Sequence, residues 1–110
     1  FDGISMRVPT PVVSISDVTA LLAKDVTVEE INEVFVKAAK EPFYQGILGV
    51  SDEPLVSRDY IGNSHSGTVD LALTRVTGGN LVKVCVWYDN EWGYSNRLVE
   101  LVADVAKSVK

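Results

Sequence analysis

The chain has 110 residues, 46% of them apolar and 23% charged, and 10 Lys and Arg against 15 Asp and Glu give a formal charge of −5. That length is one domain's worth or a piece of one, and folding at this size hides roughly two-thirds of the unfolded surface, which argues against disorder. The acidic balance, with no Lys/Arg cluster, excludes the basic face through which nucleic-acid binders gain affinity, and the single Cys85 excludes both a disulfide framework and a multi-cysteine zinc site.

Residues 4–8 place Ile4, Met6 and Val8 on one face and Ser5 and Arg7 on the other, a period of two that predicts a half-buried strand with Arg7 pointing away from the apolar side. Pro9 and Pro11 each remove a backbone donor, so RVPTP reads as an edge or a bend before a second strand over 12–22. Thr27-Val28-Glu29-Glu30 is a capping-box pattern and starts a helix. Ile31, Val34, Phe35 and Ala38 then follow at helical spacing, and Pro42 lies just past the end, so this amphipathic helix should lie on a sheet.

Gly46 and Gly49 flank a short apolar run, and Pro54 precedes Leu55-Val56-Ser57, which suggests one or two short strands. Residues 58–68, rich in Gly, Ser and Asn, read as a surface loop. Two strands are predicted over 69–76 and 81–88, joined as an antiparallel hairpin through Gly78-Gly79, because a glycine pair accepts the positive φ of a tight turn. After Tyr88-Asp89-Asn90-Glu91, whose side chains suit a helix N-terminus, Leu98, Leu101, Val102, Val105 and Val109 recur every three or four residues, with Lys107 and Lys110 at the end that favours cations. The order predicts an α+β fold, an antiparallel or mixed sheet with covering helices. No apolar run approaches the ~20 residues that span a bilayer. No basic and apolar leader opens the chain, and Phe1 reads as a cut edge.

The sequence is poor in catalytic parts. Cys85 sits in an apolar strand without a cationic neighbour in sequence, where a thiol is an inert core residue. His65, between Ser64 and Ser66, has the look of half a hydrolase triad, but a locally hydrogen-bonded loop histidine is the favoured reading. Neither a metal-ligand spacing nor a dinucleotide fingerprint occurs, and Gly78-Gly79 is explained by the hairpin. Two places exceed structural need. Arg7 carries a planar fork that can hold a phosphate or carboxylate, although a strand arginine is commonly a surface residue or an edge salt bridge. The run at 87–97, WYDNEWGYSNR, concentrates aromatics, carboxylates and amides at a strand-to-helix junction, which suits an amide-reading or ring-stacking site and equally a capped helix entry.

RVPTP at 7–11, LVSRDY at 55–60, VKV at 82–84 and WYDNEWGYSNR at 87–97 occur together and in order. With them the chain resembles the C-terminal part of the phosphorylating glyceraldehyde-3-phosphate dehydrogenases, along nearly its whole length. The resemblance implies the later part of a catalytic domain at residues 1–91, then a C-terminal helix at 92–110 that packs on an NAD-binding domain outside this chain. It implies a cytoplasmic homotetramer of glycolysis, in which a cysteine attacks the aldehyde, NAD takes the hydride and inorganic phosphate releases the acyl group as an acyl phosphate. That cysteine and its base histidine belong to upstream segments, and Cys85 and His65 match neither, so no catalytic residue is expected here and the chain alone should be inactive.

Residue by residue, Arg7 matches the arginine that holds the phosphate of glyceraldehyde 3-phosphate. Asn90 matches the asparagine bonded to the nicotinamide carboxamide, and Tyr94 a tyrosine packed near that ring. The resemblance implies that Arg7 and Asn90 converge on one pocket. Departures fall at Val12, at residues 43–46 and at Trp92, none of them on Arg7 or Asn90. Erythrose-4-phosphate dehydrogenases share most of these motifs, so a four-carbon substrate remains the alternative. A different class of alternative is a binding or assembly module that acts alone. No metal, nucleic-acid or membrane partner is expected, and the isolated chain should expose an apolar helix face and a sheet edge that invite association.

Overall fold

Local signals decide most of the elements. In the computed structural model, which describes residues 2–109, the order is β1 (Ser14–Leu21), α1 (Val28–Ala38), β2 (Leu48–Ser51), a 3-10 turn (Ser57–Tyr60), β3 (Gly67–Thr77), β4 (Leu81–Tyr88) and α2 (Asn90–Ser108). Phe1 and Lys110, and the expectations placed on them, lie outside the described residues. The capping box forms as predicted, since Thr27 Oγ1 accepts from the Glu30 amide at 3.1 Å and Glu30 Oε2 accepts from the Thr27 amide at 2.8 Å. Gly78 and Gly79 adopt φ of 61° and 87° and turn β3 into β4 as an antiparallel hairpin.

The four strands form one mixed sheet in the order β1-β4-β3-β2, antiparallel across β1/β4 and β4/β3 and parallel across β3/β2, which fits the α+β expectation. Helix α1 lies on β3 and β2. Between them Val69, Val82 and Val84 are buried, with Ile31, Phe35, Leu48 and Val50 packed on them. Val34 does not join that face and is 60% exposed. The buried stripe runs instead past Asn32, whose amide donates to the Leu71 carbonyl at 3.0 Å, and this rotates Val34 outward.

Three expectations are corrected. Residues 4–8 form no strand: Ile4 is 88% and Met6 79% exposed, because the alternation finds no neighbouring ladder to pair with among the described residues. Residues 55–57 are not a strand either. Pro54 supplies no donor, and the Asp59 carboxylate accepts from the Val56 amide at 2.8 Å, which closes the 3-10 turn in its place. Finally, only α1 covers the sheet. Helix α2 touches it sparsely, and Leu98, Leu101, Val102 and Val105 are each about half exposed or more. Among the described residues no helix is long and apolar enough to cross a membrane.

Candidate functional site

The junction between β4 and α2 is built around one carboxylate. Asp89, buried at 5% exposure, caps the helix: Oδ1 accepts from the Trp92 amide at 3.0 Å, and Oδ2 reaches across to accept from the Gly62 amide at 2.9 Å. Those backbone donors, Gly62 first and Trp92 next, hold its carboxyl below the ordinary carboxylate range. One buried side chain thus starts α2 and ties it to the loop at 61–66. Gly93 brings that loop closer still, since a Cβ there would lie 2.8 Å from the His65 carbonyl oxygen. Two turns along, Arg97 donates to the Gly46 carbonyl at 3.0 Å.

Beneath the junction the aromatics are structural. Trp87 stacks on buried Tyr60 with ring centroids 5.6 Å apart, and its indole N–H donates to Asp70 Oδ2 at 3.1 Å. The other oxygen of Asp70 accepts from the Ala72 and Leu73 amides at 3.1 and 3.2 Å, where β3 bulges between Asp70 and Arg75. His65 places Nδ1 2.8 Å from Asn63 Oδ1, and among the described residues no serine hydroxyl hydrogen-bonds to its ring. Cys85 is buried in β4, and burial, followed by the nearby Asp17 carboxylate, pushes its thiol up, so it is a core residue. No group of three or more metal-ligating side chains occurs among the described residues.

On this frame the predicted contact residues are presented outward. Asn90 opens α2 as its first residue and is exposed, with its side chain in none of the hydrogen bonds among the described residues. Tyr94, 69% exposed, stands one turn later on the same helix face. Arg7 is exposed in the irregular stretch before β1 and belongs to none of the four ion pairs among the described residues. Register relates the two regions: Ser14, the first residue of β1, faces Tyr88, the last of β4, so the Arg7 stretch and the Asn90 turn leave the same end of the sheet.

The two cavities found among the described residues do not bring Arg7 and Asn90 together. A cavity of about 310 Å³ joins Thr10, Pro11 and Val12 to Ser57, Arg58 and Ile61, so it brings the RVPTP and LVSRDY segments into contact. A second, of about 340 Å³, lies between β2 and the loop, with Tyr60, Asn63 and His65 in its wall. Neither is lined by Arg7, Asn90 or Tyr94. Sequence reasoning missed the roles of Gly93, Asp70 and Tyr60. Only Gly93 carried a local signal, a glycine inside a helical pattern; the Tyr60 stack and the bond of Asp70 to Trp87 join residues 17 or more apart.

Residues 1–90 match the family model described as glyceraldehyde 3-phosphate dehydrogenase, C-terminal domain. The chain is 53% identical over 108 residues, 98% of its length, to a glyceraldehyde-3-phosphate dehydrogenase of Zymomonas mobilis, 32% of which is covered. It is 55% identical over 105 residues, 96% of its length, to one from Geobacillus stearothermophilus, 31% of which is covered. A third, from Mycobacterium avium, is 53% identical over 108 residues, covering 98% of this chain and 31% of that protein. The chain spans about a third of the length of the curated relatives it matches.

Proposed function

Because the chain belongs to the glyceraldehyde-3-phosphate dehydrogenase family and corresponds to its C-terminal domain, we propose that it supplies the substrate-phosphate and nicotinamide contacts of a phosphorylating, NAD-dependent aldehyde dehydrogenase. The nucleophile and base come from segments outside this chain, and the working unit is a cytoplasmic homotetramer that takes glyceraldehyde 3-phosphate and inorganic phosphate. The observation that carries this reading is the junction at 87–97. There the string shared with the family folds so that structural groups, Asp89, Gly93 and Trp87, are turned inward while Asn90 and Tyr94 are left free at the surface.

Each residue then has a definite task. The guanidinium of Arg7 is permanently charged and offers parallel donors, so it suits the dianionic phosphate of the aldehyde and anchors the substrate by the end remote from the reacting carbon. Asn90 fits a carboxamide partner because its amide offers both a donor and an acceptor, which a nicotinamide amide needs in return. Tyr94 presents an aromatic face beside it. NAD, when bound, accepts the hydride; the chain's part is to fix which face of the ring is turned to the substrate.

Replacing Arg7 by Leu in the enzyme that contains this chain should raise KM for glyceraldehyde 3-phosphate and cut turnover, by a combined factor of roughly a hundred in kcat/KM, as expected when a charged hydrogen-bonding partner is lost. Unchanged kinetics would refute the assignment. The relatives, glyceraldehyde-3-phosphate dehydrogenases, favour the three-carbon substrate over erythrose 4-phosphate. The exposed apolar face of α2 favours one further role, docking, and under this reading its seat is the NAD-binding domain of the same enzyme.

A further inference from the structure

Val13 has a φ of 73°, and among the described residues it is the one non-glycine with a positive φ. A β-branched side chain on a left-handed backbone is a genuine outlier, because its Cβ and branch crowd the neighbouring carbonyls. Such strain persists only where the surroundings over-determine it, and Val13 is indeed buried, at 9% exposure. Its place in the chain is what gives the strain a use. Upstream, Pro9 and Pro11 fix φ at two positions, the Thr10 amide donates to the Val8 carbonyl at 2.8 Å, and Thr10, Pro11 and Val12 lie against the 3-10 turn at Ser57 and Arg58. Downstream, the next residue, Ser14, is already in register with Tyr88, two positions before Asn90. A stiff arm carrying Arg7 therefore meets the sheet through a single joint, and that joint is the strained residue.

We propose that Val13 is a positioning residue whose left-handed backbone sets the direction in which the Arg7 arm leaves the sheet, and so where the guanidinium stands relative to Asn90. The proposal rests on the reading of Arg7 as the phosphate contact and adds what aims it. Proline cannot adopt positive φ, whereas glycine adopts it freely. The Val13 amide is not among the backbone donors that tie the loops together, and β1 is an edge strand, so proline there removes no such bond.

The test uses the enzyme that contains this chain and reads the ratio of kcat/KM for glyceraldehyde 3-phosphate to that for unphosphorylated glyceraldehyde. A purely structural role would lower the melting temperature and leave this ratio alone. Val13→Pro, with circular dichroism unchanged, should lower the ratio at least about tenfold, while Val13→Gly should keep it within about threefold of the parent. A folded Val13→Pro enzyme with the parent ratio overturns the proposal, and so does Val13→Gly falling as far as proline. If Val13→Pro does not fold, Val13→Ala takes its place: it retains the Cβ that disfavours the left-handed backbone and loses the packing that holds it. A fall of at least about threefold is then expected, and no change overturns the proposal. Arg7→Leu, run alongside, separates the two readings. If it leaves the ratio intact, the assignment of Arg7 has failed and the proposal falls with it; if it collapses the ratio and the Val13 variants do not, the fault lies with Val13 alone.

Discussion

Asp89 shows how one side chain can serve two elements. Its two oxygens accept from Trp92 and Gly62, so its removal frees an amide at the head of α2 and another in the loop. Asp89→Ala should cost about 1–2 kcal/mol of stability, the upper range for a lost helix cap. The cost should also depend on pH. Because the folded carboxyl titrates below its ordinary value, its contribution is complete above about pH 4, the usual aspartate pKa, and is lost as pH falls through the lower folded value. Thermal denaturation of parent and variant should therefore differ most near neutrality and converge in acid. A gap that widens on acidification would contradict the assignment of Asp89 as an ionised cap.

At the scale of elements, the entry of α2 depends on close approach as well as capping. Gly93→Ala improves intrinsic helix propensity by about 1 kcal/mol. Its Cβ would nevertheless meet the His65 carbonyl oxygen at 2.8 Å, and backbone on both sides must shift. The clash should win, with a net loss of about 1–2 kcal/mol in urea unfolding, within the range for overpacked sites; a stabilised variant would show that the loop is free to move. This pair of effects also marks what was legible in the sequence. The capping box at Thr27 and the Gly78-Gly79 hairpin were legible because their partners lie within four residues. The 3-10 turn after Pro54 was misread as strand, since Asp59 closing back on Val56 outweighs a two-residue apolar preference. The stack of Tyr60 on Trp87 and the bond from Trp87 to Asp70 were invisible, because they exist only once distant segments have been brought together.

For the whole molecule, much apolar surface stays uncovered. Ile4 and Met6, Leu21 at the end of β1, and the α2 face from Leu98 to Val105 all stay exposed, although α1 has covered one face of the sheet. Residues 4–8 illustrate why: their alternation is real, but a strand needs a neighbour, and none is available among the described residues. Of the candidate site, the roles of Arg7, Asn90 and Tyr94 were legible only through the family resemblance, and the structure leaves all three exposed. The two cavities among the described residues are lined by neither Arg7 nor Asn90, so the shared pocket expected from the resemblance does not take shape in them. The most direct measurement is steady-state kinetics of Asn90→Ala in the enzyme that contains this chain, with NAD varied at saturating aldehyde. Loss of a paired amide should raise KM for NAD by roughly tenfold, about 1.4 kcal/mol, while KM for glyceraldehyde 3-phosphate stays within about twofold. A KM for NAD that does not move, in a folded variant, would contradict the claim that this chain reads the nicotinamide.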